Sequence, residues 1–239
     1  MIFYRKWQPV AALTFDLDDT FYDNGPVIRT AENTMLQYLV AQYPNTQDKT
    51  RDFWLAFRRE TIQDIPEYRY DMIQLRREVL KRGLFACGYQ GEILKQAVDN
   101  VYGVFSEARS NFRVSTHVQD ILATLAERYP LVAITNGNVE LDKIGIADYF
   151  QLSLHASAAQ PAKPDKCMFQ KASEYLQLSP EKILHVGDNL ITDVLGGANF
   201  GCKTGWYAFD REMHLHSEPV KVLPDVQFAD LQEMIELLC

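Results

Sequence analysis

Leu13-Thr-Phe-Asp-Leu-Asp-Asp-Thr20 sets three carboxylates, Asp16, Asp18 and Asp19, directly behind an apolar stretch that begins at Val10. Near-continuous apolar character from Val10 to Leu17 is the pattern of a strand buried on both faces, as in a parallel sheet. The stretch ends in acids and then in the turn cluster Tyr22-Asp-Asn-Gly-Pro26, a candidate hinge. Carboxylates this close repel one another, and a bound cation is the simplest reason for them to be held together.

Beyond the turn the texture changes. From about Val27 to Ala108 the apolar residues recur at helical spacing: Met35, Leu36 and Leu39, then Phe53, Trp54 and Phe57, then Met72, Ile73, Val79 and Leu80, then Ile93 to Phe105. Four helices with short joints predict a bundle. After Arg109 a helix is expected at His117 to Arg128. Strands follow at Leu131 to Thr135, Leu152 to Ala156, Ile183 to Val186 and Thr204 to Ala208, with helices at about Asp165 to Leu178 and Thr192 to Phe200. A final short strand and helix follow a loop from Pro219 to Pro224. Strand and helix in alternation imply a doubly wound parallel sheet. One strand precedes the helical block and the others follow it, so the block reads as an insertion into an α/β core. Residues 24–108 form the insert, and 1–23 with 109–239 form the core.

Composition narrows the function classes. A chain of 239 residues with 47% hydrophobic residues can bury a real core. Its formal charge of −8 repels polyanions, and without a basic patch nucleic acid is not an expected partner. Cys87, Cys167, Cys202 and Cys239 lack any CxxC spacing, against both a disulfide framework and a zinc site. The start has no signal-peptide core, and no apolar run approaches the roughly 20 residues that span a bilayer. The expectation is a soluble cytoplasmic protein, monomeric or weakly dimeric, with no membrane partner.

Ligands of open α/β sheets bind beyond the carboxyl ends of the strands, which draws attention to Asp16 to Thr20, Thr135 to Asn138 and Gly187 to Asp193, with Lys163 from a nearby loop. Asp16 and Asp18, two apart on extended backbone, point to one side. One carboxylate can attack phosphorus while the other protonates the leaving oxygen and later deprotonates water. Asp19 reads better as a cap or turn residue. Thr135-Asn-Gly-Asn138 offers a hydroxyl and main-chain N–H donors to a phosphoryl oxygen, but is equally an ordinary turn. Lys163 could neutralise charge on a transferring group, and Pro164 restricts how it is presented. Asp188 at a strand tip suits a hard cation, while Asp193 can hold a metal-bound water, orient Lys163 or cap a helix. This oxygen-rich set fits magnesium and not zinc. His214 and His216 read as exposed loop residues, and His185 as a satisfied core histidine.

Taken in order, DLDDT at Asp16 to Thr20, Thr135, Lys163 and GDNLITD at Gly187 to Asp193 resemble the haloacid dehalogenase-like superfamily. The resemblance implies a Rossmann-like core with the Asp16 strand central and a helical cap inserted between the first two motifs. It also implies roles. Asp16 becomes nucleophile and Mg2+ ligand; Asp18 becomes general acid/base and a ligand through its carbonyl. Thr20, Thr135, Asn136 and Lys163 bind the phosphoryl group, Asp188 ligates the metal and Asp193 supports it. Dehalogenases of this superfamily attack carbon, need no metal and have no aspartate at the second position, so Asp18 favours a phosphatase. Asn189 departs from relatives that carry an acid or serine there. Finer likeness in ALTFDLDDTFYDN, LVAITNGN and ILHVGDNLITDV points to bacterial phosphatases of flavin mononucleotide and of the phosphorylated ribitylaminouracil precursor of riboflavin.

The expected substrate is a small phosphorylated metabolite whose leaving group is recognised by the cap. Tyr22 and Asn24, at the hinge, are candidates for touching it. Trp54, Tyr68, Tyr70 and Phe85, with Arg69 and Arg76 nearby, could stack a planar ring, although aromatics at helical spacing more often form bundle core. A phosphosugar mutase or a 2-haloacid dehalogenase on the same fold, and a non-catalytic ligand-binding protein, are the alternatives.

Overall fold

The computed structural model describes residues 1–209 and 215–239, so His214 lies outside the described residues. The chain forms two compact units, Met1–Asp23 with Arg113–Gly137 and Gly145–Cys239, and Asn24–Phe112 with Asn138–Ile144.

The first unit is built on a seven-stranded sheet. Its strands are β1 (Ile2–Phe3), β2 (Ala12–Phe15), β3 (Leu131–Thr135), β4 (Leu152–His155), β5 (Ile183–Gly187), β6 (Lys203–Tyr207) and β7 (Val226–Phe228), in the order β1-β7-β6-β5-β2-β3-β4. All pairings are parallel except β1 with β7. β2 is flanked by β5 and β3. Ala12, Leu13, Phe15 and Leu17 are buried, and each large apolar side chain so buried contributes about 1.5–3 kcal/mol. Parallel strands buried on both faces read as the continuous apolar run seen at Val10 to Leu17. The paired strand is shorter than that run, but the ladder continues one step as the Asp16 N–H donates to the Val186 carbonyl at 2.9 Å. β1 had no expectation attached to it: two residues carry no readable period, and pairing with β7 alone makes it a strand.

The helices of this unit are α5 (Thr116–Ala126), α7 (Cys167–Leu176), α8 (Gly196–Phe200) and α9 (Gln232–Leu238). Where a helix from Thr192 was expected, the chain first makes a π-helical turn over Leu190–Leu195. The N–H groups of both Asp193 and Val194 donate to the Asn189 carbonyl.

The helical unit contains α1 (Asn24–Gln42), α2 (Arg51–Asp64), α3 (Met72–Ala86), α4 (Gly91–Arg109) and α6 (Leu141–Ile144). α1 packs on α4, and α3 packs on both α2 and α4. Its core gathers Met35, Leu39, Leu80, Leu84, Val101 and Phe105. The expected boundary at 108/109 needs correcting. α4 runs through Arg109, and residues 138–144 join the helical unit because Lys143 pairs with Glu107 at 2.6 Å and the Glu140 N–H donates to Ser110 Oγ at 3.0 Å. The expectation that the aromatic side chains are bundle core fails for Tyr70 and Phe85, which are 48% and 58% exposed. Among the described residues no helix is long and apolar enough to cross a membrane, and all four cysteines are unpaired.

Candidate active site

Asp16 leaves the tip of β2 with its side chain buried. Its Oδ1 accepts from Lys163 Nζ at 2.6 Å, and the same ammonium sits 2.6 Å from Asp193 Oδ1. Behind this ion triad stands His185 of β5. Its Nε2 is 3.2 Å from Asp193 Oδ1 and its Nδ1 is 2.9 Å from Thr14 Oγ1, a juxtaposition fixed by the register that pairs Thr14 with His185. Burial lowers the pKa of His185 despite the neighbouring Asp193 carboxylate, so the neutral ring donates from Nε2 to Asp193 and accepts at Nδ1 from Thr14. His185 is thus the satisfied core histidine of the sequence reading, and also the post that holds Asp193. Burial alone would raise the Asp193 carboxyl, but Lys163 and His185 reverse this and hold it below the ordinary range. Burial likewise opposes the Lys163 charge, and the two carboxylates overcome it, so its pKa is raised.

The loop after β2 turns sharply because Asp19 adopts φ 60°, a left-handed conformation that Asp tolerates better than most residues. The Asp19 N–H donates to the Tyr22 carbonyl at 2.9 Å, and the Thr20 and Phe21 N–H groups reach back to Leu17. Asp19 is therefore a turn residue, as its reading as structural requires. Within the turn the Tyr22 hydroxyl donates to the Asp18 carboxylate. Gly137 faces the same carboxylate so closely that a Cβ there would collide with Asp18 Oδ2. Thr135-Asn-Gly is thus more than a turn, since its glycine makes room for the second acid. Thr135 is fully buried, and its Oγ1 accepts from the Gly137 N–H at 2.9 Å. Thr20 Oγ1 is buried and has no hydrogen-bond partner among the described residues.

Asn136, expected to meet phosphate, has a structural task for its side chain. Its side-chain amide donates to the Lys163 carbonyl at 3.0 Å and accepts from the Lys163 N–H at 2.8 Å. That two-point clasp ties the loop of Lys163, which carries a cis bond to Pro164, to the end of β3. Asn24 is the first residue of α1 in the helical unit.

Asp188 follows β5, and its carbonyl accepts from the buried Trp206 indole N–H at 2.8 Å. Ligand oxygens of Asp16, Asp188 and Asp193 all lie within 4.8 Å of one another, a group that could hold a metal ion. Burial pushes the Asp16 carboxyl well above the ordinary range; Lys163 opposes this, while Asp193 and Asp188 add to it. One ammonium facing three carboxylates leaves a deficit of positive charge that a divalent cation would correct. The donor set fits such an ion, being all oxygen. Asp193 is already engaged on both oxygens, for its Oδ2 also accepts from the Asn189 N–H at 3.0 Å and from Thr192 Oγ1 at 3.3 Å. It orients Lys163, and its carboxylate fits above Gly187 only because that residue has no Cβ. The Asp18 carboxylate is outside the acidic group.

Sequence reasoning missed Tyr22 as the partner of Asp18, Asn136 as a clasp and Trp206 as an anchor. His155 was missed as well: its Nδ1 lies 3.2 Å from the Gly137 carbonyl. Asn136, Trp206 and His155 make contacts 18 or 27 residues apart in sequence, and the Tyr22–Asp18 contact depends on how one turn closes, so none of them leaves a periodic signal.

A family model for haloacid dehalogenase-like hydrolases matches residues 10–201. Over the full length of both chains the protein is 32% identical to the 5-amino-6-(5-phospho-D-ribitylamino)uracil phosphatase YigB of Escherichia coli (strain K12). It is 27% identical to the pyrimidine 5'-nucleotidase PynA of Streptococcus pneumoniae (strain ATCC BAA-255 / R6), over 87% of this chain and 88% of that one. The crystal structure of a 2-haloacid dehalogenase from Pseudomonas syringae pv. Tomato DC3000 matches with a TM-score of 0.90 and 30% identity, over 96% of this chain and 98% of that one. The motif order and the parallel sheet with β2 between β5 and β3 thus have one source: this chain is an enzyme of the haloacid dehalogenase-like hydrolase family.

Proposed function

We propose that the protein is a Mg2+-dependent phosphatase that hydrolyses a small phosphate monoester through an aspartyl-phosphate on Asp16. The observation that carries this reading is the pair of differently held acids. Asp16 is buried against Lys163, whereas Asp18, two residues on, is held by Tyr22 over Gly137. Asp16 is poised to attack phosphorus, with Asp18 giving its proton to the departing ester oxygen. Asp18 then takes a proton from water as that water attacks the aspartyl-phosphate, releasing phosphate and restoring Asp16. Lys163 and the Thr135 hydroxyl face the charge on the transferring group. Asp16 and Asp188, with the Asp18 carbonyl, would hold Mg2+, which supplies charge neutralisation when bound.

Likeness to YigB over the whole chain supports 5-amino-6-(5-phospho-D-ribitylamino)uracil as the substrate, with flavin mononucleotide as the second candidate. The reading carries with it a cytoplasmic protein that meets small phosphorylated metabolites. The test is phosphate release from a panel holding both compounds, pyrimidine 5'-nucleotides and sugar phosphates. Release should need Mg2+, stop with excess EDTA, and fall by about 10³-fold or more in Asp16→Asn. Full activity in EDTA would sink it. Conversion of a sugar phosphate without free phosphate would mean a mutase.

The match to a 2-haloacid dehalogenase at 30% identity favours a second reading, in which Asp16 attacks carbon and displaces halide. Asp18 argues against it, because that chemistry needs no second acid. Halide release from 2-chloropropionate, unaffected by EDTA, would reverse the preference.

A further inference from the structure

Between α1, α2 and α3 the helical unit holds a cavity of about 460 Å3, inside the roughly 300–1,000 Å3 range of small-molecule sites. Its wall is apolar, with Leu36, Leu55, Leu75 and Val79 beside the Trp54 indole. The indole seats against Gly83 of α3, where a Cβ would collide with its six-membered ring. Four guanidinium groups, Arg29, Arg51, Arg58 and Arg76, line the same space with one carboxylate, Glu32. Four positive charges less one negative leave +3 around one cavity, in a chain whose formal charge is −8.

Packing explains only one of these arginines. Arg76 stacks 3.6 Å from the Phe105 ring centroid and lies 3.5 Å from Glu32. Burial lowers its pKa, Glu32 opposes that, and the Arg58 charge adds to it. Arg29, Arg51 and Arg58 have no ion-pair partner among the described residues. Three further guanidinium groups therefore gather where like charge disfavours them, against an apolar wall with an aromatic face.

We propose that this cavity is a second binding site, which takes a small organic anion with a planar aromatic body. The indole and leucines cover the ring, and the arginines not engaged by Glu32 hold its carboxylate, sulfonate or phosphate. The site is made of helical-unit residues and does not use Asp16.

Naphthalene-1-sulfonate is a suitable probe, having the ring and the anion but no phosphoryl group to transfer. Titrated calorimetrically into the full-length protein in EDTA, it is expected to bind saturably, one per chain. Arg51→Gln with Arg58→Gln should weaken binding by about tenfold or more, and neutral 1-naphthalenemethanol should bind at least about tenfold more weakly than the sulfonate. Gly83→Ala, which displaces the Trp54 ring that lines the cavity, should also weaken binding; the arginine variants, at exposed positions, keep the test valid if that variant does not fold. Asp16→Asn should leave the affinity unchanged. No saturable binding at millimolar probe, an unchanged affinity in the double arginine variant, or loss of binding in Asp16→Asn would each overturn the proposal. None of these outcomes depends on whether the protein hydrolyses phosphate esters.

Discussion

Asp16 is a carboxylate whose ordinary pKa is 3.8, placed in a setting that raises it well above that value. An acid that is harder to ionise in the folded chain than in the unfolded one favours folding while protonated. That contribution is complete below 3.8 and is lost as pH rises through the elevated folded value. In EDTA, the melting temperature of the wild type should therefore fall relative to Asp16→Asn as pH goes from 4 to 8. Adding Mg2+ at pH 8 should raise the melting temperature of the wild type and not that of the variant. A difference between the two proteins that stays flat with pH in differential scanning fluorimetry would contradict the crowding argument. Gly137 provides a second prediction at this scale. A methyl there meets the Asp18 carboxylate, so Gly137→Ala should cut kcat by about 10²-fold or more, the usual worth of a general acid, with a melting temperature close to wild type. Here the sequence was a partial guide. DLDDT declared a charged site, and Asp19 was legible as a turn residue. That Tyr22 and Gly137 both serve Asp18 was not legible, since one hydroxyl and one absent Cβ leave no periodic trace.

The elements were easier to read than their ends. Apolar runs and helical spacing located β2 to β6 and the four long helices, because burial on two faces or on one stripe dictates those patterns. β1 and the π-helical turn at Leu190–Leu195 escaped, the first for its length and the second because an extra residue in a turn does not alter local composition. That turn explains Asn189. Its Oδ1 accepts from the N–H groups of Ile191 and Thr192 at 2.9 and 3.0 Å, so Asn189 is a neutral N-cap on an exposed position. Asn189→Ala should cost about 1 kcal/mol and lower the melting temperature by about 2–4 °C, whereas Asn189→Asp should keep the cap. His185→Leu tests the post behind the turn. It strips a partner from Thr14 and from Asp193, at about 1–3 kcal/mol for each buried group left unsatisfied. Thermal melts of the three variants check the ordering, and a His185→Leu protein as stable as wild type would contradict it.

At the scale of the whole chain, one helical block between the first strand and the rest was enough to infer an insertion. The distribution of function over the two units was not, because the cavity arginines are scattered over three helices and only the packed bundle brings them together. Every residue of the acidic group, Asp16, Asp188 and Asp193, belongs to the α/β unit, and every residue lining the cavity belongs to the helical unit. A ligand that binds the native state protects from exchange those amides whose opening would release it. Mg2+ should therefore slow hydrogen exchange in β2, in β5 and in the turn after Asn189, and leave α1 to α3 near their metal-free rates. Naphthalene-1-sulfonate should do the reverse, slowing α1 to α3 alone. Peptide-resolved exchange with mass spectrometry reads both patterns in one series. Equal protection of both units by Mg2+ would mean that they open as one cooperative body, and the two ligands would then report on a single equilibrium.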